Sequence, residues 1–143
     1  MATRTQPRTL ASRYMDLLAE EGYRPQVASD EEGPTVINFK SEGEAFLLFV
    51  EERDPTFFHL GSGYELGDVD LAAAVSRAND LNEELKGVKL TVWAPDRSVR
   101  IHVEAFLDEP PVSTGVLERG VGAIRNAARK FFEPARAPDH LDA

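Results

Sequence analysis

The stretch "AFLLFV", residues 45–50, is apolar at every position. In a β-strand successive side chains point to opposite faces. A strand of this kind therefore presents apolar groups on both faces, and whatever sheet holds it needs cover on two sides at its centre. The neighbouring segments behave differently. "PTVINFK" (34–40) alternates, and so do "VKLTVWA" (88–94) and "SVRIHVEAFL" (98–107). Each reads as a half-buried strand.

The links between these strands are short. "DEEG" (30–33), "SEGE" (41–44), "RDPT" (53–56) and "PDR" (95–97) are turn sequences. "GYRPQVAS" reads as a further strand before them, and "FFHLGS" (57–62) as one after. Parallel pairing needs a long crossover, so short links predict a mainly antiparallel sheet. Three helices accompany it. Leu10, Tyr14, Leu17 and Leu18 share one face of a first helix over about Thr9 to Glu21, and Gly22 stops it. A second helix spans about Asp68 to Lys86, with Asp68 as its cap and Asp70 in the first turn. Ser113 or Thr114 caps a third, which reaches about Phe132. The order α-β(3-4)-α-β-β-α is an α+β layer architecture.

At 143 residues the chain is read as one domain over residues 9–132, with a flexible basic arm at 1–8 and a flexible tail at 133–143. There is no internal repeat. The chain has no cysteine, which removes disulfides, thiolate metal sites and thiol nucleophiles and suits a cytoplasmic location. No apolar run approaches the roughly 20 residues of a membrane span. The net charge is −9, with +3 on residues 1–13 and −10 on residues 14–68. An acidic body repels phosphate backbones, so nucleic acid is not an expected partner.

The second helix poses the sharpest local question, because it carries Asn79 and Asn82. With Leu71 at zero and a 3.6-residue turn, Val75, Ala78 and Leu85 fall within about 40° of it. Asn82 falls about 20° away, inside the apolar stripe, and Asn79 about 80° away, at its edge. Asn79 and Asn82 are therefore expected as buried structural polar residues. A buried amide without partners costs about 1–3 kcal/mol. Either Asn82 bonds the backbone of a neighbouring loop or strand end, or it contacts a ligand or partner.

The residues "AVSRANDLNEEL" (74–85), the strand "SVRIHVEAFL" (98–107) and the alternating "TVINFK" and "AFLLFV" strands resemble those of the YbjN-like family of bacterial proteins, labelled as sensory-transduction regulators. The element order over about residues 9–132 fits the family. It is similar in fold to the type III secretion chaperones. The resemblance implies that fold and dimerisation, and no established activity.

No catalytic constellation accompanies the fold. "GSGYELG" (61–67) has one residue too many for a dinucleotide loop and reads as a flexible connection. His59, His102 and His140 share no metal-ligand spacing, and His102 is expected as an ordinary histidine on the outer sheet face. The carboxylates of "DEE" (30–32) and "EERD" (51–54) are expected to be solvated at turns. No G-x-S-x-G elbow is present. In the third helix Arg119, Arg125, Arg129 and Lys130 oppose Leu117, Val121, Ile124, Ala128 and Phe131. These cations either form a solvated face or pair with an acidic sheet region.

Within the hairpin, Val88, Leu90, Val92, Val99, Ile101 and Val103 point to one face. The other carries Lys89, Thr91, Arg100, His102 and Glu104, together with Trp93 and Phe106. Aromatics among polar residues are an interface signal. Trp93, Phe106 and His102 are the candidate protein interface, and no cofactor is expected. The second face is to be covered by the remaining helix, a second subunit or a protein client. The expected function is a non-enzymatic cytoplasmic protein-binding module, regulatory or chaperone-like and homodimeric. The alternative is a small-ligand binder or enzyme using a cleft near residues 59–67.

Overall fold

The structure, a computed structural model, describes residues 9–30 and 33–133. The arm at 1–8, nearly all of the tail and Glu31 and Glu32 of the first turn lie outside the described residues. The chain runs α1 (Leu10–Glu20), β1 (Gln26–Ser29), β2 (Thr35–Ser41), β3 (Glu44–Val50), β4 (Phe57–Glu65), α2 (Leu71–Glu84), β5 (Val88–Trp93), β6 (Ser98–Phe106) and α3 (Thr114–Phe132). The strands form one six-stranded sheet in the order β1-β2-β3-β4-β6-β5. Every pairing is antiparallel, as the short links require.

Alternation sorts the two faces. Ile37, Phe39, Phe46, Leu48, Val50, Phe58, Leu60, Leu90, Val99 and Ile101 point to one side and are buried. There they share a single core with Leu10, Tyr14 and Leu18 of α1, Ala74, Ala78 and Leu81 of α2, and Leu117, Val121, Ile124 and Phe131 of α3. All three helices thus lie on this inner face. None of the described helices covers the outer one, so the remaining helix does not supply its cover. In β3, Phe46, Leu48 and Val50 are buried, whereas Leu47 and Phe49 on the outer side are only half-buried.

Local chemistry sets the helix ends. Thr9 accepts from the Ser12 N–H, Asp70 from the Ala73 N–H and Ser113 from the Val116 N–H. The cap of α2 is therefore Asp70, two residues beyond the Asp68 that the sequence suggests. Glu52 is exposed at its turn, as expected, and also holds a helix end. It accepts from the Leu10 N–H at 2.8 Å and the Ala11 N–H at 2.9 Å, satisfying two free donors of α1 with a charge suited to that helix end. α3 comes close to the sheet at Gly120, where a Cβ would stand 3.2 Å from Leu60 Cδ2. Arg125 of α3 donates to the Ser41 carbonyl at 2.9 Å and faces Glu42 and Glu44, and Lys130 meets Glu84. Part of the basic face of α3 is thus bound to acidic groups of the same chain.

Two expectations change. "GSGYELG" is not a loop, because residues 61–65 are ladder positions of β4, paired with β6 from Gly61 to Glu65. Asn79 and Asn82 are exposed, not buried. The buried residues of α2 are Ala74, Ala78 and Leu81, a stripe rotated by about 50° from the one centred on Leu71. The small alanines let the helix backbone approach the sheet, and this turns Val75 outward to 55% exposure. Asn82 nevertheless bonds strand backbone. Its Oδ1 accepts from the Leu90 N–H at 2.7 Å and its Nδ2 donates to the Leu90 carbonyl at 3.0 Å. β5 is the last strand of the sheet, so the Asn82 amide stands where the peptide of a further strand would stand.

This geometry predicts that Asn82→Asp, which keeps the acceptor and loses the donor, lowers stability by about 1 kcal/mol. Glu83→Gln should stay within about 0.5 kcal/mol of the parent. Urea unfolding of both variants checks this, and coincident midpoints would remove the role assigned to the amide.

Candidate functional site

The uncovered sheet face carries the candidate site. Three outward rows run across the strands. Val36, Phe49, His59 and Glu104 are register partners in succession, as are Asn38, Leu47, Gly61, His102 and Lys89. Phe57 lies opposite Phe106 in a third. The rings form a continuous series. Phe106 and Phe57 have centroids 5.6 Å apart, Phe57 and His59 5.8 Å, His59 and His102 4.9 Å, and Phe49 stacks on His59 at 4.4 Å.

Trp93, Phe106 and His102 all occupy this face, as alternation requires. Phe106 is 86% exposed and Trp93 43% exposed. They stand at opposite ends of the β5–β6 hairpin, and the Arg100 guanidinium lies 4.0 Å over the Trp93 ring, so part of the indole is already occupied. His102 sits between them. Phe49, Phe57, Leu47 and His59 complete the patch, and none of these four is among the interface residues that the sequence suggests. Alternation within β3 and β4 marks them as outward-facing. That the face stays open cannot be read from one strand.

His102 is not an ordinary surface histidine. Its Nδ1 lies 2.8 Å from His59 Nε2, so one of these nitrogens donates and the other accepts. The local sequence explains the contact. Gly61 is the register partner of His102, and a Cβ there would stand 2.8 Å from His102 Nδ1. Only glycine lets the ring lie flat across β4 to reach His59. Burial holds both imidazoles below the usual histidine range, His102 to about 4, where the neighbouring His59 and Lys89 charges act in the same direction. Lys89 pairs with Glu104 at 2.6 Å beside them, and this contact lowers the Glu104 carboxyl. The pair is neutral near pH 7 and forms a polar centre within an aromatic patch.

Two clefts among the described residues lie elsewhere. One of about 460 Å³ is lined by Gly22, Tyr23, Arg24, Gln26, Asn38, Phe39 and Lys40, and one of about 420 Å³ by residues of the β2 and β3 ends. Neither includes residues 59–67. A smaller one of about 260 Å³ follows the groove between α2 and β5, lined by Val75, Asn79, Asn82 and Val92 among others. Among the described residues no group of three or more His, Cys, Asp or Glu side chains is gathered to hold a metal ion, and no helix is long and apolar enough to cross a membrane.

A family model described as "YbjN: Putative bacterial sensory transduction regulator" matches residues 15–137. The chain belongs to the YbjN family. No curated protein matches it in sequence. The solved structures similar in fold include two that differ widely in sequence from this chain. One is an uncharacterized protein from Methanothermobacter thermautotrophicus, with a TM-score of 0.63, 13% identity, and coverage of 85% of this chain and 93% of that one. The other is a chain of the ExsC–ExsE complex, with a TM-score of 0.63, 15% identity, and coverage of 91% of this chain and 100% of that one. This YbjN chain thus has the α+β, secretion-chaperone-like fold that its sequence suggests.

Two outcomes follow for the histidine pair. The folded chain disfavours the imidazolium, so the stabilisation is complete above pH about 6.5 and is lost as pH falls toward about 4. The melting-temperature gap between the parent and His102→Gln should therefore narrow from pH 7.5 to pH 4.5, about the span of that shift. A gap constant across this range would show that the pair does not titrate this way. Separately, Gly61→Ala should displace the His102 ring into solvent and raise its titration midpoint toward 6.5, followed by NMR of the imidazole protons. An unchanged midpoint would mean that Gly61 does not seat the ring.

Proposed function

We propose that this YbjN chain is a non-enzymatic cytoplasmic protein-binding module, regulatory or chaperone-like, that works as a homodimer and docks a protein client on its open sheet face. The observation that carries the reading is the one-sided placement of the helices. It leaves Phe49, Phe57 and Phe106 on a face that no described helix covers. Contiguous apolar surface of this kind marks interaction sites more often than isolated exposed residues do. The aromatic patch has a polar rim, with Lys89–Glu104 on one side and Arg100–Asp96 near Trp93 on the other. This is the composition of a protein interface, with rings at the centre and charges at the margin.

The fold comparison supports the same reading, since one similar structure is a protein–protein complex. The family description supports a regulatory role. For self-association the β5 side is favoured. There the outer strand edge is only partly occupied by Asn82, and Val75 and Trp93 are exposed beside the α2–β5 groove. A two-fold contact is the default closed arrangement, and a stable one buries about 1,200–2,000 Å² in total.

The test separates the two surfaces. Phe106→Glu should abolish retention of client proteins from native lysate while leaving melting and mass unchanged. Val75→Asp should convert the dimer to monomer in light scattering, and Trp93 emission should shift red with it. Equal retention by the parent and Phe106→Glu would remove the open face as the docking surface. A parent mass equal to the monomer at about 100 µM would remove the dimer.

A further inference from the structure

The histidine pair has a second chemical capacity. His59 Nε2 and His102 Nδ1 face each other at 2.8 Å across two neighbouring strands. Both rings are held from several sides. Phe49 stacks on His59 at 4.4 Å and lies 6.3 Å from His102, Phe57 lies 5.8 Å from His59, and His102 rests against Gly61. Among the described residues no helix covers them, and both rings are half-buried, open to solvent on the outer side of the sheet.

Imidazole nitrogens suit first-row transition metals rather than magnesium or calcium. A metal–nitrogen bond is about 2.0–2.1 Å long. Two such bonds at a tetrahedral angle separate their nitrogens by about 3.3–3.4 Å, and at a right angle by about 2.8–3.0 Å. The 2.8 Å between the nitrogens is the length of the hydrogen bond that joins them, and it coincides with the right-angle spacing. A right angle belongs to the tetragonal geometry of Cu(II) or Ni(II) rather than to tetrahedral Zn(II).

We infer that His59 Nε2 and His102 Nδ1 form a two-nitrogen site for a tetragonal divalent cation of the copper class, with solvent filling the remaining positions from the open face. The protein supplies two donors, because Glu104, the register partner of His59, is engaged by Lys89 at 2.6 Å. Binding consumes no proton. The hydrogen shared by the facing nitrogens moves to the far nitrogen of its own ring, and two lone pairs then turn from the N···N line onto one metal ion. Cu(II) binds most tightly, by the usual order of divalent affinities.

The experiment uses the full, untagged chain with CuCl₂ in a weakly coordinating buffer. Equilibrium dialysis measures uptake, and electron paramagnetic resonance counts the nitrogen ligands. Expected are one copper per chain, two imidazole nitrogens, and binding weakened at least about tenfold by His59→Gln and by His102→Gln. Gly61→Ala removes no nitrogen but shifts one ring, and it should also weaken binding. His140→Gln should leave uptake unchanged, and Zn(II) should compete poorly. Each variant is compared with the parent by thermal melting, and Gly61→Ala carries the test if a histidine variant unfolds. A spectrum with a single imidazole nitrogen overturns the inference. So does uptake that is insensitive to both histidine substitutions, or no uptake at about 100 µM copper.

Discussion

Burial of one face of the sheet under all three helices is the constraint on which the rest of this molecule depends. Phe39, Phe46 and Phe58, with Leu48, Leu60 and Ile101, supply a wide apolar floor that α1 and α3 cover along most of its length. α3 approaches closely because Gly120 offers no side chain above Leu60. α2 packs beside it through alanines. With the helices committed to that side, the outer face has no helix over it among the described residues. The apolar residues Leu47, Phe49 and Phe57 are left there half-exposed.

The sheet edges are treated differently from its open face. At β5 the Asn82 amide binds both backbone groups of Leu90, so one step of the outer edge is satisfied by a side chain. At the other edge β1 is only four residues long and its pairing with β2 is irregular between Val27 and Ser29. Short and irregular edge strands resist unintended strand addition. The protein thus limits pairing at its edges and keeps its aromatic surface in the middle of a face. The Glu52 carboxylate contributes to the same frame by fixing the start of α1 to the end of β3.

Much of the candidate site was legible in single strands. Alternation in "SVRIHVEAFL" placed His102 and Phe106 on the outer face with Trp93, and the structure has them there. The apolar stripe of α2 differs from its sequence pattern because Val75 outweighs Ala74 in hydropathy, whereas packing against a sheet favours the smaller side chain. "GSGYELG" looks like a loop in sequence because glycine weakens strand signals. In the sheet Gly61 is needed at its position, since a side chain there would collide with His102. The His59–His102 contact joins residues 43 apart in sequence, and no spacing rule anticipates it.

The sequence by itself determined the element order, the antiparallel pairing, the two faces of each strand and the absence of thiol chemistry. These follow from local periodicity, from link lengths too short for parallel crossovers, and from composition. Only the tertiary structure decided that the helices share one face, that Asn82 closes a strand edge from an exposed position, and that two histidines meet over a glycine. Each of these depends on strand register and on how closely a helix approaches the sheet. Both are set by contacts between segments far apart in the chain, which the local pattern of any one segment does not contain.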